Sequence, residues 1–392
     1  MDDILSQGGD RDPSRWPRRL AVIGAPVLVV VASIVYLTLA RHPHAPAAAP
    51  VSASTAPVPV GLAVPDGIGG PTVPWAGRLR LPVAGAEPAW FSPATGGSEP
   101  IGGLPADSSG YQFVRVEGGW AVQANAAGNT AGGDPAVPPL PVWFLGDGTR
   151  SVTRIGTADQ VTPAAVAGAV WLTSYPPTAD PDTAARTARE VSLAGAPLGP
   201  PVTLPPGYVI YQATDRGLLL APATKQPGTP ADKLWNPADP QAARTFNEVI
   251  AASPAEIAWT PPCAATCQVR LLDLATGRQT AVGLPAGSSA AGGAFSPSGG
   301  YLALQVSSGD DGALAMRLEV ASVTSGRLTA VPGTSVSSDA LVGFGWPASG
   351  DSLVAEFVFA TKVQLASWHP GATRLSVAVI RPGPDQAQLV VG

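Results

Sequence analysis

Three features of the sequence predict an all-β chain of seven four-stranded units closed into a ring, a seven-bladed β-propeller, preceded by one N-terminal transmembrane helix. Two kinds of hairpin-like segment alternate from about residue 75 to the end. The second strands of one kind carry Trp120, Trp171, Leu219, Trp259, Leu302 and Leu353, at spacings of 51, 48, 40, 43 and 51 residues. Such spacings suit a propeller blade with variable loops. An uncharged apolar run of 21 residues stands near the N-terminus.

That run, residues 20–40, is rich in Val, Leu, Ile and Ala. As a helix it would span about 31 Å, the thickness of the bilayer hydrocarbon. Pro26 falls near its start, where a bilayer helix tolerates it. Arg11, Arg15, Arg18 and Arg19 precede it and only Arg41 follows closely. The positive-inside bias therefore places residues 1–19 in the cytoplasm as a stub too short to fold, and residues 41–392 outside the membrane. A cleaved signal peptide is the competing reading, but its apolar region would be about 7–15 residues, and Pro interrupts the small-residue cleavage sites at 45–49. Asp2, Asp3, Asp10 and Asp12 cancel the four Arg of the stub, so the exterior carries the whole net charge of -5. Residues 41–74 contain eight Pro among Ala, Val, Ser and Thr. They predict an extended or disordered tether of at most about 3.1 Å per residue in the polyproline form.

The repeats occupy residues 75–392, which divide by seven into units of about 45 residues. FSPSGGYLAL (295–304) aligns without a gap on GWPASGDSLV (345–354), and LLDLATGRQTAV (271–282) on VASVTSGRLTAV (320–331). Each reads as a hairpin, with β-branched and apolar residues flanking a turn whose Gly accepts positive φ. Weaker copies of the first kind lie at 114–122, 165–173, 213–221 and 252–259. Weaker copies of the second lie at 90–101, 143–155, 191–204, 234–246 and 366–379. Seven second-kind hairpins against six of the first leave one blade incomplete. Residues 388–391 are predicted to supply its innermost strand and 78–81 the next, so that the two ends close the ring and remove two open sheet edges. Six blades with a stray hairpin is the alternative. Eight of the ten Trp, at 90, 120, 143, 171, 235, 259, 346 and 368, fall inside the repeats. Such placement predicts packing between neighbouring blades rather than a carbohydrate-stacking platform.

These motifs resemble the TolB-type, WD-like β-propeller repeat, which runs Trp/Phe-Ser-Pro-Asp-Gly, an apolar strand, then Asp-x-x-Thr-Gly. Ser298 replaces the usual Asp, whereas Asp273, Thr276 and Gly277 keep the second half. The match is good in two repeats and loose in five, and it speaks to fold rather than to activity. By analogy with TolB-type domains, the resemblance implies a scaffold that assembles cell-envelope proteins.

Composition narrows the chemistry. With 23 Lys and Arg against 28 Asp and Glu there is no basic surplus for neutralising phosphates, which excludes an electrostatic nucleic-acid binder. Three His and two Cys exclude a zinc or haem framework built on those residues. Cys263 and Cys267, in PPCAATCQ, predict a structural disulfide outside the cytoplasm, since a metal or redox role needs more ligands or a Cys-x-x-Cys spacing. No Gly-x-Ser-x-Gly elbow occurs. His369 reads as a turn residue, and Asp310-Asp311-Gly312 lacks the spaced oxygens of a calcium loop. No catalytic, cofactor-binding or metal residue is assigned, and no cofactor or small-molecule ligand is identified.

The longest connections between hairpins are 125–141, 175–190, 222–233, 260–268 and 307–314. In this repeat order they share one rim, where long loops on a rigid scaffold usually carry recognition. The sequence thus predicts a single-pass, membrane-tethered, extracytoplasmic binding or scaffold module for envelope proteins. A propeller enzyme (hydrolase, lyase or sugar dehydrogenase) working at the channel mouth is the alternative.

Overall fold

The repeated turns show how the sequence folds the chain back on itself. Asp273 Oδ1 accepts the backbone N–H groups of Ala275 (2.9 Å) and Thr276 (3.0 Å), and Gly277 N–H donates to the Asp273 carbonyl at 2.8 Å. Gly277 takes φ 72°, which side chains disfavour. In the second copy Gly326 repeats this conformation at φ 69°, and a Cβ there would lie 2.5 Å from the carbonyl oxygen of Ala281 on the preceding blade. Only glycine lets this turn rest on its neighbour. At the first-kind hairpin, Ser296 Oγ accepts the Tyr301 N–H at 3.1 Å. Ser298, standing where the repeat pattern has Asp, donates across to Asp351 of the next blade at 2.7 Å.

The computed structural model describes residues 67–392 except 85–86, 106–107, 109, 126–138, 177–183, 225–230, 264–266, 309–314, 338–339, 349, 360–361, 381–387 and 390–392. The expected stub, the expected membrane helix at 20–40 and residues 41–66 of the expected tether lie outside the described residues. Among the described residues, regular structure is entirely β, and no helix is long and apolar enough to cross a membrane.

The strands form seven sheets in chain order, each numbered here as a blade from its inner strand outward. Blade 1 is Gln388–Leu389, Leu81–Ala84, Ala89–Ser92 and Gly97–Pro100. Blade 2 is Tyr111–Val116, Gly119–Ala124, Leu140–Gly146 and Val152–Ala158; blade 3 is Gln160–Pro163, Ala169–Ser174, Thr187–Ser192 and Val202–Thr203. Blade 4 is Tyr208–Thr214, Gly217–Pro222, Asp232–Asn236 and Asp239–Phe246; blade 5 is Val249–Ala252, Glu256–Trp259, Gln268–Asp273 and Gln279–Gly283. Blade 6 is Ser288–Phe295, Tyr301–Ser308, Ala315–Ser322 and Leu328–Ala330, with Val336–Ser337 beside its third strand. Blade 7 is Leu341–Gly345, Leu353–Phe359, Lys362–Trp368 and Leu375–Ile380. Every predicted hairpin is present.

The ring closes as the sequence predicts, through strands from both ends. Gln388 pairs with Ala84 and Leu389 with Val83, antiparallel. The strand they meet is Leu81–Ala84, three residues beyond the predicted 78–81. Leu81 fixes that register: it pairs with Phe91 and is buried against Val354 and Leu365 of blade 7. The predicted tether extends to residue 74, yet Thr72–Pro74 lies parallel to Leu375–Val377 as a fifth, outer strand of blade 7. A Pro-bounded extended segment already has strand-like dihedrals, and an outer edge needs no N–H from Pro. Gly69 N–H donates to the Gly333 carbonyl at 3.1 Å, and Trp75 N–H to that of Val377 at 3.1 Å, so the strand is held at both ends.

Seven buried apolar clusters hold the ring, and each straddles two successive blades, the last joining blade 7 to blade 1. All eight repeat Trp belong to these interfaces, as predicted; Trp171 and Trp259 are partly buried and the other six are buried. Blades 4 to 7 share a further feature that the sequence does not announce. Their innermost strands each carry a β-bulge, at Ile210/Gln212, Val249/Ala251, Ala290/Gly292 and Leu341/Gly343. A bulge bends its strand and raises its local twist.

Candidate interaction rim

Because successive strands within a blade are antiparallel, connections 1–2 and 3–4 emerge at one end of each sheet. Connections 2–3, and the crossings to the next blade, emerge at the other. The five long predicted loops are the 2–3 connections of blades 2 to 6. They therefore share one rim, the loop rim, and parts of each lie outside the described residues. His369 lies exposed on the opposite, turn rim, between the outer strands of blade 7. Asp310, Asp311 and Gly312 lie outside the described residues. Among those described, no three His, Cys, Asp or Glu side chains gather as a group able to hold a metal ion.

Cys263 and Cys267 are joined, with their Cα atoms 5.1 Å apart, inside the loop-rim connection of blade 5. The Cys267 carbonyl accepts the Leu284 N–H at 3.1 Å, tying this loop to the crossing toward blade 6. So small a covalent loop contributes about 2 kcal/mol through loop-closure entropy. Cys263→Ser with Cys267→Ser is expected to lower stability by about that amount in denaturant titration. Intact-mass analysis of the native protein is expected to find no alkylatable thiol.

The most concentrated polar chemistry on the loop rim lies where blade 3 meets blade 4. Arg186, at the end of the 2–3 connection of blade 3, is only 1% exposed. Its Nη1 donates to the Tyr208 carbonyl at 2.6 Å, and its guanidinium lies 4.5 Å from the centre of the Tyr175 ring. Asp159, at the crossing from blade 2, accepts the Tyr175 N–H at 2.6 Å. Burial raises the Asp159 carboxyl above the usual carboxylate range, against the pull of that hydrogen bond and of Arg186. Across Tyr208 stands Lys233, whose ammonium sits 3.7 Å from the ring centre. Burial lowers the Lys233 pKa and raises that of Tyr208. Tyr211, on the bulged strand beside them, is pushed up to about 12 by burial and then by the charge of Asp232. Two aromatic rings and two cations from adjacent blades thus meet at one corner, where Arg186 is buried as a support and Lys233 is the cation partly open to a ligand. None of these residues is singled out by the sequence reading. The sign available there was their position, since Arg186 and Lys233 each end a long connection and Tyr208 begins a strand.

The turn rim of blade 5 holds two carboxyls shifted in opposite directions: Asp273 is held below the usual range by the Thr276 N–H, and Glu256 is raised. Glu256 pairs directly opposite Asp273 in blade 5, and its buried Oε2 accepts no hydrogen bond. Burial, then the Asp273 charge, raise the Glu256 pKa to about 7, opposed by Arg278. The folded state therefore holds this proton more tightly than the unfolded chain, whose value is near 4.5. The stability that proton provides is complete below about pH 4.5 and is lost as pH rises through about 7. After solvent screening at a half-buried rim, the loss is on the order of 1–2 kcal/mol. Glu256→Gln is expected to flatten the fall in stability between pH 5 and 8, read by urea unfolding at each pH. A parallel fall in the variant would show that other groups set it.

No protein-family model and no curated protein matches the sequence. Among solved structures, the chain is similar to hydrazine synthase of Kuenenia stuttgartiensis, with 11% identity, 65% of this chain and 75% of that one covered, and a TM-score of 0.41. A protein from Lactobacillus plantarum shows 12% identity over 80% of this chain and 100% of its own, with a TM-score of 0.47. A prolyl endopeptidase shows 15% identity over 76% of this chain, with a TM-score of 0.49, and the chain spans 47% of that enzyme's length. The seven-bladed fold rests on the strand pairing itself.

Proposed function

We propose that this chain is a single-pass, membrane-tethered, extracytoplasmic propeller that binds or assembles envelope proteins through its loop rim, in the manner of TolB-type scaffolds. The observation that carries the reading is the segregation of the rim. Five long connections and the Arg186–Tyr208–Lys233 corner stand together at one end of a ring closed by both chain ends. A rigid scaffold of this kind spends no ordering energy on its framework when a partner docks, and leaves adaptation to the loops. The apolar run at 20–40 and the Arg-rich flank before it support the anchor and its orientation.

Cross-linking in intact cells followed by mass spectrometry tests the reading. Reproducible capture of one envelope protein is expected, lost when residues 126–138 and 177–183 are replaced by short Gly-Ser linkers. Capture that survives both replacements unchanged would sink the rim as the docking face. Turnover of a compound in an unbiased metabolite screen would favour an enzyme instead.

A further inference from the structure

Lys233 is the third-strand residue of blade 4 that faces blade 3, on the same side as Trp235 and Tyr208. It continues an apolar inter-blade cluster to the loop rim and ends it with a partly exposed lysine. That ammonium forms no ion pair with any described carboxylate. Asp232, its neighbour, points to the opposite face by strand alternation, where Oδ2 accepts the Val249 N–H of blade 5 at 2.7 Å. Asp159 stands instead with Tyr175 and Arg186. The Tyr208 ring at 3.7 Å is thus the contact partner of Lys233, and the Tyr208 hydroxyl is turned to the Ala231 carbonyl at 3.3 Å. Taking a cation partly out of water without a counter-ion is unfavourable, and a ring face offsets only part of that cost. An incoming anion would supply the rest.

We propose that Lys233, backed by the ring of Tyr208, anchors a carboxylate on an acidic peptide segment of the partner protein. This deepens the rim-binding reading and rests on it. A peptide fits better than a free small anion, because one ammonium on an open rim leaves a small anion most of its water. A peptide carboxylate arrives with neighbouring atoms that can lie on the rings of Tyr208 and Tyr175. In a chain of net charge -5, a local cation also sets where an acidic segment can dock and so contributes specificity.

The test is fluorescence anisotropy of a labelled acetyl-hexaglutamate peptide with the full-length protein in detergent at low salt, where charge contacts are least screened. Binding is expected to weaken about fivefold or more in Lys233→Met and to stay within about twofold in Lys233→Arg. Hexaglutamine is expected not to bind, and inorganic phosphate at equal charge not to displace the peptide. Unchanged melting of Lys233→Met, or full retention by Lys233→Arg, separates a lost contact from a lost fold. Equal binding to wild type and Lys233→Met overturns the inference, and so does complete displacement by phosphate, which would mark a free-anion site. If the rim still captures its envelope partner in cells while Lys233→Met changes neither assay, the anchor fails and the rim reading stands. If capture ignores the loops as well, both fail.

Discussion

Deleting residues 388–392 is expected to lower the melting temperature by about 3–6 °C. Gln388 and Leu389 are the innermost partners of Ala84 and Val83, so their loss strips the inner ladder from blade 1. The ladder itself is short, and its hydrogen bonds contribute about 1 kcal/mol each in net terms. The larger part is topological. Blade 1 meets blade 7 through the cluster of Trp75, Leu81, Phe91, Val354, Leu365 and Ala378. Thr72–Pro74 ties the outer edge of blade 7 to the chain entering blade 1, and the C-terminal strand ties the end of blade 7 to the inner edge of blade 1. Without that C-terminal tie the inner side of blade 1 becomes an open edge and closure is left to the apolar cluster and the outer strand, together costing about 2–4 kcal/mol. Leu389→Pro makes the same test at one residue, because proline cannot donate from its nitrogen. Differential scanning calorimetry of the full chain reads both variants. An unshifted transition in the deletion would mean that the inter-blade cluster and the outer strand close the ring without it.

The fold is legible because each blade is a local unit whose turns carry their own chemistry. Asp273 and Gly277 announce their hairpin by residue type, and Gly326 repeats it 49 residues later. The ring closure is legible by counting, since one hairpin lacks an inner pair; its register is not. Whether 78–81 or Leu81–Ala84 forms the ladder depends on which residue buries Leu81 against blade 7, a contact with residues more than 270 positions away. The outer strand Thr72–Pro74 escapes for a similar reason, because an edge partner leaves no periodic mark on a Pro-bounded segment. Of the candidate site, the rim follows from strand order alone. The corner of Arg186, Tyr208 and Lys233 does not, because it is assembled by two blades and no spacing along one stretch of chain encodes it.

Trp90→Ala is expected to destabilise the protein by about 3–5 kcal/mol, the cost of removing a large buried aromatic from a packed interface. Trp90 is 2% exposed between blades 1 and 2, in one cluster with Tyr111, Phe113, Trp120 and Trp143. Its Nε1 donates across the interface to the Thr149 carbonyl at 2.6 Å. Trp90→Phe keeps most of the packing and removes only that bond, so a loss of about 1–2 kcal/mol is expected. The same interface also carries an ionic link, Glu99 between Arg80 at 2.9 Å and Arg150 at 3.1 Å. All three side chains are exposed, and such pairs contribute between nothing and about 1 kcal/mol. Urea unfolding of Trp90→Ala, Trp90→Phe and Glu99→Gln therefore ranks what joins neighbouring blades. The expected order puts the apolar body of Trp90 first, its hydrogen bond second and Glu99 last. A Glu99→Gln loss as large as that of Trp90→Ala would reverse it, and would make the ring an assembly held by surface charge, sensitive to salt where apolar packing is not.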